Sequence, residues 1–208
     1  SALLASILAQ SESSDAFNLL QFSIQEIARN SLEHSRGRSL LILGQYWPKS
    51  GDAEIVIFDD GVGLFETLMD VELVNIKDNR AALRVALMPG ISGVPRRVRV
   101  QQEEPFRNSG FGLYMVSRYC GFLGKFEILS NNEYLRLQSN RQIEGRIPFQ
   151  GTAVSVHLNL NRLGDLASLH QRLVREGNQM YSEILKDFSV DASAASKFLY
   201  KDFGFKIS

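Results

Sequence analysis

The chain has 208 residues, 44% hydrophobic and 22% charged, with 23 Lys and Arg against 23 Asp and Glu. That composition supports a buried core and excludes a disordered chain, and zero net charge argues against a broad electrostatic footprint on nucleic acid. One cysteine, Cys120, excludes an internal disulfide framework and a cysteine-cluster zinc site, and no apolar run approaches the roughly 18 residues of a membrane span.

Ser1-Ala2-Leu3-Leu4 carries no basic leader, so a signal peptide is not expected and a cytoplasmic location is. The first strong element is a helix over Ser14 to Ser35, with Phe17, Leu20, Ile24, Ala28 and Ser31 on one stripe and Gly37 ending it. Two strands follow, Ser39–Trp47 and Ala53–Phe58, joined as a hairpin by Pro48-Lys49-Ser50-Gly51-Asp52. Within Leu64 to Asn108 the pattern predicts a short helix, Asn79–Met88, capped by Asp78 and stopped by Pro89-Gly90. Ile91–Pro105 reads as a loop, and a long irregular insertion of this kind suits a lid.

Gly110-Phe111-Gly112 opens the next helix, which runs to about Phe122. Lys125–Ser130 and Tyr134–Gln138 form a hairpin around Asn131-Asn132, and Thr152–Leu160 alternates as a strand. An amphipathic helix over Asp165–Phe188 and a shorter one near Ala192–Tyr200 close the chain. The expected fold class is α+β: a two-layer sandwich with a mixed, mostly antiparallel sheet and helices on one face, plus C-terminal helices.

Three segments carry candidate chemistry. On the first helix Glu26, Asn30 and Glu33 share a face away from the apolar stripe, and a carboxylate and an amide at i, i+4 can serve one ligand. Alone, this pattern is also that of a solvated helix face. Asp59-Asp60-Gly61-Val62-Gly63 follows an apolar strand, where an acid can accept a hydrogen bond from a ligand amino group and glycines allow close approach. Ser109-Gly110-Phe111-Gly112-Leu113 enters a helix whose free N–H groups and dipole suit phosphate. It lacks both the third glycine of a dinucleotide fingerprint and the Lys-Ser/Thr of a Walker loop.

In this order, with Gly151-Thr152 opening a later strand, the motifs E-x-x-x-N, D-x-G-x-G and G-x-G-L resemble those of the GHKL ATPase superfamily. That superfamily includes DNA gyrase, heat-shock chaperone ATPases, mismatch-repair ATPases, histidine-kinase catalytic domains and anti-sigma-factor serine kinases. The resemblance runs from about Phe17 to Leu160 and implies a Bergerat-type ATP-binding domain over residues 1–162, an ATP lid over about 64–108, and a C-terminal helical extension over 163–208.

The resemblance also implies roles. Asn30 would ligate Mg²⁺ bridging the phosphates, and Glu26 would orient or deprotonate the attacking water. Asp59 would accept the adenine amino group, with Thr152 beside it. Gly61 and Gly63 would line the base pocket and the lid hinge. Gly110, Phe111, Gly112 and Leu113 would form the phosphate box, and Arg107, or Arg96 and Arg97, would meet phosphate charge. Glu33 stands where histidine kinases usually carry Lys or Arg, and Glu33-His34-Ser35 is closer to stand-alone bacterial ATPases and anti-sigma-type kinases. The implied function is Mg²⁺-dependent ATP binding and hydrolysis coupled to a protein partner. Its alternatives are a protein kinase of the same fold and a non-hydrolysing nucleotide-gated switch. Nucleic acid and membrane are not expected partners, and oligomeric state is left open. His34 is expected to end its helix, His157 and His170 to sit at the surface, and Cys120 to be a core thiol.

Overall fold

A computed structural model describes residues 14–69, 74–91, 110–139, 141–186, 190–191 and 206–207. The elements in chain order are α1 (Asp15–His34), β1 (Leu40–Trp47), β2 (Asp52–Asp59), α2 (Leu64–Leu68), β3 (Val74–Asn75), α3 (Asn79–Ala86), α4 (Gly112–Leu123), β4 (Gly124–Ser130), β5 (Glu133–Gln138), β6 (Arg141–Arg146), β7 (Thr152–Asn159), α5 (Leu166–Lys186), β8 (Val190–Asp191) and β9 (Lys206–Ile207). The protein is an α+β sandwich. Six strands in the order β1-β2-β7-β4-β5-β6 pair antiparallel, and β9 adds a short parallel pairing at the β6 edge.

One sheet face carries the core. Alternation puts Ile55, Ile57, Phe126, Ile128, Leu135, Leu137, Val154, Val156 and Leu158 against the helices, all buried. Each such side chain contributes about 1.5–3 kcal/mol relative to exposure. Tyr114, Val116 and Cys120 of α4 are buried in the same core, and burial pushes the Cys120 thiol up to about 12. The open face is mixed, with Leu41, Leu43 and Ile143 exposed at its two ends and a charged cluster between them. There Glu127 accepts from Tyr134 Oη at 2.5 Å and Arg136 Nε at 2.8 Å, and pairs with Lys125 Nζ at 2.7 Å.

The expected hairpins form. Asn131 and Asn132 take φ of +44° and +70°, the left-handed pair that a two-residue turn needs. Ser14 caps α1 by accepting from Phe17 N at 3.2 Å, and Asp78 caps α3 by accepting from Ala81 N at 2.7 Å.

Some expectations are corrected. The buried stripe of α1 runs through Phe17, Leu20, Ser23, Ile27 and Ser31, while Ile24 and Ala28 are only half-buried. Helix α2 and strand β6 were not expected. β6 inverts the usual pattern: Gln142 is buried while Ile143 is 39% exposed. Within the 64–108 span, Leu83, Leu87 and Met88 are buried in the core. Helix α5 packs on the domain, one of the two placements left open for the C-terminal helices. Its Leu173, Met180 and Ile184 are buried, and Leu173 O accepts from Tyr114 Oη at 3.2 Å. The helix expected near Ala192–Tyr200 and the arginines Arg96, Arg97 and Arg107 lie outside the described residues. Among those residues, no helix is long and apolar enough to cross a membrane.

Candidate functional site

Strand β2 ends at Asp59, whose side chain turns to the helix side and is 2% exposed. Its Oδ1 accepts from Gly61 N at 3.0 Å. The neighbouring strand β7 starts at Thr152, in register with Asp59, and Thr152 is in register with Ser130 of β4 on its other side. Ser130 Oγ and Thr152 Oγ1 lie 3.4 Å apart. A row of oxygen-bearing side chains thus crosses three strand ends. The second acid of the pair does something else: Asp60 Oδ1 accepts from Arg38 N at 2.8 Å and Ser39 N at 2.9 Å. Those backbone hydrogen bonds hold its carboxyl below the usual range.

Across from this row, α1 contributes Glu26, Asn30, Ser31 and His34, and the start of α4 contributes Gly110, Gly112 and Leu113. All of these, with Asp59 and Thr152, line one cavity of about 90 Å³. Leu64 and Leu68 of α2, Ala86 of α3 and Ile91 close it. Of the sequence-predicted residues, Glu26, Asn30, Asp59, Gly110, Gly112, Leu113 and Thr152 are therefore brought together.

Three are not. Gly61 packs against the end of α1, where a Cβ would come 2.2 Å from Ser35 O. Gly63, at φ +83°, packs against Asn131, where a Cβ would come 2.5 Å from Nδ2. Both glycines serve a close crossing of chains rather than the cavity wall. Phe111 precedes α4 but turns to a second cavity, with edge-on contacts to Tyr114 and Tyr181.

Electrostatics distinguish Glu26. Burial raises its carboxyl above the ordinary value of 4.5, the Arg29 guanidinium opposes that, and Glu33 adds to it. Arg29 Nη2 donates to Glu26 Oε2 from one turn away. The carboxylate lies against the N-terminus of α4, and a Cβ at Gly112 would fall 1.8 Å from Oε2. Glycine at 112 thus makes room for Glu26, a role that motif reading assigned only to phosphate contact. Phe111, the residue at the cap position of α4, supplies no side-chain hydrogen bond to the helix. His34 both ends α1 and lines the cavity, and burial lowers its pKa from 6.5.

Two residues of this region went unrecognised in the sequence. Ser130 Oγ accepts from Leu64 N at 2.8 Å, which ties the start of α2 to β4. Asn131 Nδ2 donates to Val62 O at 2.7 Å and its Oδ1 accepts from Gly151 N at 3.2 Å, fastening the loop after β2 to the β7 entrance. A polar pair at a hairpin tip reads simply as a turn.

A metal would find few protein ligands here: among the described residues no group of three or more His, Cys, Asp or Glu gathers. An amide oxygen at Asn30 and a carboxylate at Glu26 form a donor set that suits a hard cation only if phosphate and water complete the shell.

No family model matches the chain, and no curated protein matches it. Among the solved structures that are similar is one described as the N-terminal domain of a DNA repair protein. The similarity has a TM-score of 0.33 at 12% identity and covers 83% of this chain and 48% of that one. The chain thus spans about half the length of that structure.

Proposed function

We propose that the chain is a Mg²⁺-dependent ATP-binding enzyme of GHKL type that hydrolyses ATP. The observation that supports this best is the convergence of Asp59 and Thr152 from one side, and of Glu26, Asn30, Gly110 and Gly112 from the other, on a single cavity. A buried carboxylate that accepts from only one backbone N–H retains acceptor capacity for an exocyclic amine. The glycine-flanked start of α4 brings the positive end of a helix dipole to the cavity, which suits phosphate.

The cavity of about 90 Å³ is smaller than ligand sites of roughly 300–1,000 Å³. Nucleotide binding in this reading therefore moves α2 outward. Helix α2 is short and is held by Leu64 N to Ser130 Oγ and by Thr67 Oγ1 to His34 O at 3.2 Å. Phosphate arriving at α4 also competes with the Glu26 carboxylate for the helix start, which frees Glu26 to face water.

In the reaction, a water oxygen bonds to the terminal phosphorus, the bond from that phosphorus to the bridging oxygen breaks, and ADP leaves. Glu26 orients the water and takes its proton. Mg²⁺, when bound, neutralises phosphate charge, and Asn30 is the residue that would hold it. A cytoplasmic location and a protein partner sensitive to lid position belong to the same reading.

The test is phosphate release by the parent and by Glu26→Gln, with ATP affinity measured in parallel. The reading expects the variant to bind and not to turn over. Equal phosphate release by both proteins would remove Glu26 from the mechanism.

A further inference from the structure

A second cavity, of about 560 Å³, lies between α1, α4 and α5. That is the size of a small-molecule site. Its walls are apolar, with Leu19 and Phe22 from α1, Phe111 and Met115 at the start of α4, and Val174 from α5. Among the described lining residues the carboxylates Asp15 and Glu26 have no Lys or Arg beside them in the wall. Asp15 stands exposed at the mouth, and Glu26 lies deep with a side chain 13% accessible. Arg29 reaches Glu26 but lines only the first cavity. His170 completes the wall, its Nδ1 engaged by Tyr119 Oη at 2.5 Å and its ring stacked on Tyr119.

An anion would meet two carboxylates here. A neutral apolar molecule would leave Glu26 without a new partner. A cation on an apolar body satisfies both features, because Glu26 can pair with its charge while Leu19, Phe22, Met115 and Val174 take its apolar part. We propose that this cavity binds a small ammonium compound with an apolar body, its charged end directed to Glu26 and drawn in past Asp15. The site shares Glu26 with the first cavity but does not rest on the nucleotide reading.

The test is calorimetric titration of the full chain, without nucleotide, with phenethylammonium, phenethyl alcohol and phenylpropionate. The three probes share a ring and a chain length and differ in charge. The expected result is that the ammonium binds at least about tenfold tighter than the alcohol and that the carboxylate gives no heat. Val174→Trp, which fills the cavity, abolishes ammonium binding. If circular dichroism shows that variant to be misfolded, Asn178→Trp at the exposed rim takes its place. Equal binding of the three probes, no binding of the ammonium, or undiminished binding by the folded cavity-filling variant overturns the proposal.

Discussion

Asp59 and Thr152 are direct partners across the β2–β7 ladder, at the end of the sheet that faces Glu26 and Asn30 on α1. Residues 93 positions apart in the chain, by subtraction of those numbers, thereby share one wall of a cavity.

Glu26→Gln keeps ATP affinity within about threefold and lowers turnover by about 10²–10⁴-fold. A general base must be ionised, and burial raises the Glu26 carboxyl above 4.5. Turnover by the parent therefore falls as pH drops through a value above that of a free carboxylate. Phosphate release measured between pH 4.5 and 8, at roughly unit spacing, shows this acid limb in the parent and not in the residual activity of the variant.

Asn30→Ala removes the Mg²⁺-dependent part of ATP affinity and leaves metal-free binding unchanged. Calorimetry with Mg²⁺ and with a chelator separates the two. A cation bound by one amide, phosphates and water loses its protein ligand in this variant.

Most of the sheet and the long helices were legible in the sequence, because alternation in Thr152–Leu160 and the periodicity of α1 report burial directly. Glu26, Asn30, Asp59, Gly112 and Thr152 line one cavity, but only the resemblance grouped them beforehand, because spacing within one element cannot join residues on separate helices and strands. β6 was not legible, because a buried Gln142 beside an exposed Ile143 reverses the signal. Nor was α3 as core: its Ala81, Ala82 and Ala86 are buried but too small to mark a stripe. The placement of Gly61 and Gly63 was missed because a glycine's sequence gives no sign of whether ligand or backbone approaches it.

Gly110→Ala destabilises the fold by about 1–3 kcal/mol. Gly110 has φ +77°, and a Cβ there would lie 2.5 Å from the backbone of Gly90, whose N donates to Gly110 O at 3.1 Å. Neither backbone can yield cheaply. Urea denaturation monitored by circular dichroism measures the loss.

Glu127→Gln destabilises the protein by about 1–2 kcal/mol at neutral pH. Burial alone would raise this carboxyl, but hydrogen bonds from Lys125, Tyr134 and Arg136 outweigh it and hold Glu127 down at about 2. A depressed carboxyl stabilises the fold above its unfolded value of 4.5, and that contribution is lost as pH falls from there to about 2. Parent and variant stabilities, compared by denaturant titration at several pH values, therefore differ most above 4.5 and converge toward about 2.

The central claim is that Asp59 receives adenine. Isothermal titration of Mg²⁺-ATP into the parent and into Asp59→Asn tests it most directly, because the substitution is isosteric and the new amide still accepts from Gly61 N through its oxygen. The account predicts saturable binding by the parent and a loss of at least about 100-fold in the variant, since an amide nitrogen turned toward the adenine amine cannot accept from it. Equal affinity in a folded variant would contradict the account.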